Sequence, residues 1–174
     1  MKRYLLTTLV IVVALSSCGV QIKSVVDKSV TANSYSNPLI VIPYESGVTG
    51  NFTDLMKRKI EEKFRADNRK VEVLLVEQNR NEIKLNATAE IDAKINAAIS
   101  SDNKDLILIF KPTKMQFYNG GLQSATYLIT GTDLKSRKEV WKAEFTSSSS
   151  VGPSLFADKA ATTIYERLKQ DRVI

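Results

Sequence analysis

Few side chains in this 174-residue chain could carry covalent chemistry. There is one thiol, Cys18, and no histidine. Without imidazole, triads and metal sites that need a histidine are excluded. Neither G-x-x-x-x-G-K-[ST] nor G-x-G-x-x-G occurs, so the usual phosphate-cradling loops are missing too. The stretch GVTGN, residues 47–51, could hold an anion at a helix N-terminus, but the preferred reading is a plain strand-to-helix connection. Carboxylates remain. A pair drawn from Glu45, Asp54, Asp102 and Asp133 could act on glycosidic bonds. Each lies in a turn or at a helix start, where acids are ordinary. No metal site and no cofactor are expected.

Cys18 gains meaning from what precedes it. Lys2 and Arg3 give a positive start, and Tyr4 to Ser17 carry no charge. That run is roughly 14 residues, short of the roughly 20 that span a bilayer as a helix. A charged start, a short apolar middle and small residues at a boundary describe a secretory signal peptide over residues 1–17. The boundary itself, Leu15-Ser16-Ser17-Cys18, resembles the bacterial lipobox: an aliphatic residue, two small residues, then Cys. The resemblance implies diacylglycerol on the Cys18 sulfur, cleavage just before Cys18 and acylation of the new amine. Two acyl chains make a durable anchor where one does not. A buried helix with a core Cys, or an ordinary leader with an incidental Cys, are the other readings. In the lipoprotein reading Cys18 is not a nucleophile. Residue 19 is Gly rather than the Asp that retains many lipoproteins at the inner membrane. No acidic cluster of the surface-export kind follows. The implied address is therefore the outer membrane, facing the periplasm.

The elements that follow must position whatever this anchor carries. Residues 19–37, GVQIKSVVDKSVTANSYSN, read as a flexible tether with a short strand around Lys23–Val26. Such a tether would reach roughly 25 Å on average. One globular domain is expected over 38–174. LIVIPY (Leu39–Tyr44), VEVLLV (Val71–Val76) and DLILIF (Asp105–Phe110) read as buried strands, with Pro112 stopping the third. The third strand is apolar on both faces and is placed centrally. Helical spacing of Phe52, Leu55, Met56, Ile60 and Phe64 predicts a helix over 52–67, with Asn51 as its cap. Ile91, Ile95, Ala98 and Ile99 predict a second over 87–100. Gly121–Asp133 and Lys138–Thr146 form an antiparallel hairpin, with Trp141, Ala143 and Phe145 inward. A last helix, started by Gly152 or Ser154, carries Phe156, Ala160, Ala161, Ile164 and Leu168. The order β-α-β-α-β-β-β-α predicts an α/β fold with α+β character, one mixed sheet with helices packed on it.

Net charge is +6, but Lys and Arg are interspersed with Glu and Asp, which argues against nucleic-acid binding. Two surface features could meet a protein partner. Lys57, Arg58, Lys59, Lys63, Arg65, Arg69 and Lys70 make the first helix and its end basic. The plain alternative is a solvated face beside Glu61 and Glu62. In MQFYNGGL, residues 115–122, Phe117 and Tyr118 could protrude as an aromatic contact with Trp141 nearby, or could be core aromatics entering a bend.

The tethered LIVIPY strand, the DLILIF strand, the YLITGTDLKSRKEVWKAEF hairpin and the closing RLKQDRVI helix together resemble an envelope group. It includes the type B lipoprotein activator of penicillin-binding proteins, the N-terminal domain of the Tol-system propeller protein and the curli secretion lipoprotein. The resemblance spans residues 38–174 in pattern and order rather than through a catalytic motif. It implies a non-enzymatic binding or scaffolding module on an envelope membrane, partnered with the bilayer through Cys18 and with an envelope protein. A glycan hydrolase and a structural subunit of a homo-oligomer are the competing readings, and oligomeric state stays open.

Overall fold

The computed structural model describes residues 19–27, 34–47, 49–78, 87–119, 121–148 and 153–174, without the side chains of 87–90 and 153–155. The leader expected over residues 1–17, the lipobox Cys18 and Gly152 lie outside the described residues.

Six strands make one mixed sheet. They are β1 (Val20–Val26), β2 (Pro38–Tyr44), β3 (Glu72–Glu77), β4 (Leu106–Tyr118), β5 (Gly121–Asp133) and β6 (Glu139–Ser148). Their spatial order is β1-β6-β5-β4-β2-β3. The helices are α1 (Gly50–Ala66), α2 (Ala87–Ser101) and α3 (Pro153–Gln170). From β2 onward this is the predicted order. β2 pairs parallel with both β3 and β4, while β4, β5, β6 and β1 run antiparallel. The third predicted strand is indeed central, between β5 and β2.

One face of the sheet carries the main core. Phe52, Met56, Ile60 and Phe64 of α1 and Phe156, Ala160, Ala161, Ile164 and Leu168 of α3 are all buried against it. The two helices lock through Phe52 on Phe156 at 4.5 Å and Phe64 edge-on to Tyr165 at 5.0 Å. The opposite face is covered only in part. There α2 sets Ile91, Ile95, Ala98 and Ile99 against Leu39, Val41, Val76 and Ile107. Over β5, β6 and β1 no described helix covers that face, and Ile109 of β4 and Val25 of β1 are exposed.

Four expectations need correction. The largest concerns the tether. Val20–Val26 is a full edge strand, paired with β6 from Val20↔Ser147 to Val26↔Trp141. Its inward positions Val20, Ile22 and Val26 pack on the core. Tyr35 is buried too, and its hydroxyl donates to Asp133 at 2.9 Å. Sheet structure therefore already includes Val20–Val26, inside the stretch expected to be a tether. Second, Pro112 does not stop β4, which continues to Tyr118. β2 pairs with β4 only as far as Ile109, so the missing Pro112 N–H costs no ladder bond there, and a register shift follows at 112–114. Third, Asn51 does not cap α1. The helix starts two residues earlier, at Gly50, and Thr49 holds the turn by accepting from the Glu45 N–H at 2.9 Å. Fourth, Trp141 is not near Phe117. It is buried opposite Gly131 and Val26, toward the other end of the sheet.

The helix ends follow from local chemistry. Asn68, at φ 55°, takes the left-handed conformation after α1, and Arg69 N–H returns to Phe64 O at 2.8 Å. Gly131 is required by packing. A Cβ there would lie 3.0 Å from Leu108 Cδ2 and 3.2 Å from Trp141 Cβ. Gly131→Ala should destabilise by about 1–3 kcal/mol through that overlap. By contrast, the Tyr127 hydroxyl is buried with no hydrogen-bond partner among the described residues. Tyr127→Phe should be neutral or stabilising by about 1 kcal/mol. Urea melts of the two variants check both signs.

Candidate functional site

The strand polarities divide the molecule into two ends. The first strand residues of β2, β3 and β4 meet the C-termini of α1, α2 and α3 at one end. The β5–β6 turn, residues 134–138, lies there as well. The other end holds Gly19, Ser148, the β4–β5 hairpin tip and the N-terminus of α1.

At the helix C-terminal end, an open cleft of ≈ 420 Å³ lies between Asn37, Glu61, Arg65, Arg69, Lys70, Asp102 and Lys104. Its frame is built from strand entries. Asp105, just before β4, accepts from the Ser36 N–H at 2.6 Å and the Asn37 N–H at 3.0 Å. That fixes the entry of β2. Lys104 is buried and reaches Glu72 and Asp102, both at 3.2 Å, and Asn37 Oδ1 at 3.2 Å. A buried ammonium is tolerated because carboxylates and an amide satisfy it. Arg65, Arg69 and Lys70 form no ion pair among the described residues, so the cleft presents positive charge that its own acids do not cancel.

The predicted partner residues fall in three places. Arg65 lies in the cleft. Lys59 is committed to Glu62 at 2.7 Å on the exposed side of α1, with Arg58 exposed beside it. Lys57 pairs with Glu61 at 3.1 Å. Phe117 and Tyr118 sit at the opposite end of the molecule and are 43% and 69% exposed. Of the two readings of these aromatics, the protruding one matches the structure. The carboxylates are also divided. Asp102 and Asp133 lie at the cleft end, Glu45 and Asp54 at the other. The Asp133 carboxyl is held below its usual range by the Ser136 backbone N–H, with Tyr35 adding a further bond. That of Asp102 is held down by Lys104 and then Asn37. A general acid needs the opposite shift. Among the described residues no cluster of three potential ligands could hold a metal ion. No described helix is long and apolar enough to cross a membrane.

Sequence reasoning missed Lys104, Asn37 and Asp105 as a unit. The available signal was the polar triplet Asn103-Lys104-Asp105 directly before an apolar strand.

These carboxylates set an acid limit. A carboxyl whose folded pKa is depressed contributes stability that is present above its unfolded value. That stability is lost as pH falls through the folded value. Asp67 behaves likewise, lowered by Lys169 and then Tyr165. Melting temperature should therefore hold from neutrality down to about pH 4.5 on their account, and fall below about pH 4. Asp133→Asn should make that acid limb shallower. An unchanged limb would show that Asp133 is not among the groups that set it.

No family model matches the chain, and no curated protein sequence does. Solved structures do match. PelC from Paraburkholderia phytofirmans, described as a dodecamer, superposes with a TM-score of 0.55 at 13% identity, covering 90% of this chain and 99% of that one. A single-substitution variant of that PelC gives 0.55 at 12%, covering 88% and 99%. Lipoprotein GNA1162 from Neisseria meningitidis gives 0.41 at 13%, covering 78% and 99%. At such identities the PelC likeness establishes a shared fold across nearly the whole of both chains.

Proposed function

We propose that this protein is a lipid-anchored envelope lipoprotein whose domain acts as a non-enzymatic binding or scaffolding module. It is held to the outer membrane through acylated Cys18 and faces the periplasm. The observation that carries this is the placement of Leu15-Ser16-Ser17-Cys18 directly before Gly19 and the edge strand Val20–Val26. The only thiol is thereby assigned to lipid. The resemblance to the penicillin-binding-protein activator and Tol-domain group supports a module that meets other envelope proteins.

A second reading makes the chain a structural subunit of a homo-oligomer. Two observations favour it. The sheet face over β5, β6 and β1 is uncovered, with Ile109, Thr130, Lys142 and Val25 in one register row. PelC, which shares the fold, is described as a dodecamer.

Mass spectrometry of the membrane-purified protein should show an acylated Cys18 at the N-terminus, and Cys18→Ala should move the protein to the soluble fraction. An unmodified chain beginning elsewhere overturns the anchor. Crosslinking in cells should recover a different envelope protein, and Arg65→Glu should weaken that recovery. Crosslinks solely between copies of this chain, with a discrete oligomer mass, would replace the binding-module reading with the subunit reading.

A further inference from the structure

The hairpin tip at the Gly19 end has no role in the function just proposed. The ladder fixes its position. Ser148 N–H donates to Gly19 O at 2.9 Å, Ser148 lies opposite Ser124, and Ser124 lies opposite Gln116. Gly19 and Gln116 therefore stand at one level of the sheet, three strand spacings or roughly 14 Å apart. Phe117 and Tyr118 lie beyond that level, opposite Leu122 and Gly121. Two residues of strand carry the tip roughly 7 Å further along the sheet axis. Cys18 is the next residue before Gly19, and adjacent Cα atoms are about 3.8 Å apart. There is thus almost no slack between an acyl group on Cys18 and the level the tip reaches.

The tip has the chemistry of an interface. No charged residue occurs from Met115 to Thr132. Phe117 and Tyr118 are exposed, while Met115 and Leu122 are half-buried against the core edge. Lys114 is exposed just below them. Aromatic side chains favour the headgroup level, and long cations extend toward it. The projection fits the roughly 5–10 Å to which interfacial elements sink.

We propose that the β4–β5 hairpin tip is a second membrane contact, with Phe117 and Tyr118 seated in the lipid headgroup region beside the acylated Cys18. The proposal rests on the lipoprotein reading. It gives the domain two points of support on the bilayer, so its orientation is set. The basic cleft of Arg65, Arg69 and Lys70, at the opposite end of the sheet, then points away from the membrane toward the periplasm.

The test uses the full lipidated chain in vesicles of phosphatidylethanolamine and phosphatidylglycerol. A nitroxide is attached at Tyr118→Cys, and in a separate protein at Ser136→Cys in the far β5–β6 turn. Oxygen partitions into lipid and a polar nickel complex does not. The expected result is a several-fold higher ratio of oxygen to nickel collisions at position 118 than at 136. Equal ratios, with Cys18 acylated and the protein floating with the vesicles, overturn the membrane contact. So does protection at 118 that persists in detergent and comes with spin–spin broadening, which assigns the tip to a second copy. A chain that lacks acyl mass on Cys18 and fails to float overturns the anchor, and this contact with it. Both sites are exposed, so labelling leaves the core intact, and circular dichroism verifies the fold of each labelled protein.

Discussion

One carboxylate joins the parts of this fold that the chain brings together from farthest apart. Asp171, just past α3, accepts from Trp141 Nε1 at 2.8 Å and from Arg167 Nε at 3.1 Å, and also from the Ser24 hydroxyl. Arg167 Nε in turn reaches Ser24 Oγ at 2.6 Å. Residues from β1, β6 and α3 thus converge on a mostly buried acid. Hydrogen bonds to a charged group contribute roughly 1.5–3 kcal/mol each when well made. An edge strand of seven residues has a neighbour on one side only, so this clasp supplies what a second ladder would otherwise provide. The position of the Gly19 end depends on β1 staying in the sheet.

The two halves of the sheet divide the remaining work. In the parallel half, helices cover both faces, which is the usual requirement for parallel strands. The strand entries there leave a cleft that is framed by Asp105 and Lys104 and lined by Arg65, Arg69 and Lys70, which form no ion pair among the described residues. In the antiparallel half only one face is covered. Its long β4–β5 hairpin runs past its neighbours and exposes two aromatic rings. The fold therefore separates the exposed aromatic pair at the Gly19 end from the basic cleft at the other end, and does so through strand direction.

Much of this was legible in the sequence where patterns are local. LIVIPY and DLILIF are strands because continuous β-branched and aliphatic runs of that length suit a sheet covered on both faces. The inward set Trp141, Ala143 and Phe145 obeys the two-residue period, and a register shift at Gly131 buries Val140 next to Trp141 as well. β1 was harder. Val20, Ile22 and Val26 alternate as a half-buried strand should, but Lys23, Ser24 and the Ser-rich residues beyond give the segment a linker's composition. Its inward Ser24 is satisfied only by residues more than 140 positions away. Pro112 misled for a similar reason, because whether a proline breaks a strand depends on whether a neighbour needs its N–H. The basic residues of α1 were legible as a group. Which of them face a cleft and which pair along the helix was not, since i,i+4 and i,i+3 pairing takes Lys57 and Lys59 while Arg65 lines the cleft.

The stretch Val20–Val26, directly after Cys18 and Gly19, belongs to the folded sheet. Hydrogen exchange of the full chain, resolved at Val20–Val26, tests it most directly. The inward-bonded amides of β1 should be protected comparably to those of β6, and Asp171→Ala should release them first. Exchange of β1 amides at the rate of an unstructured linker, with β6 still protected, would contradict the claim.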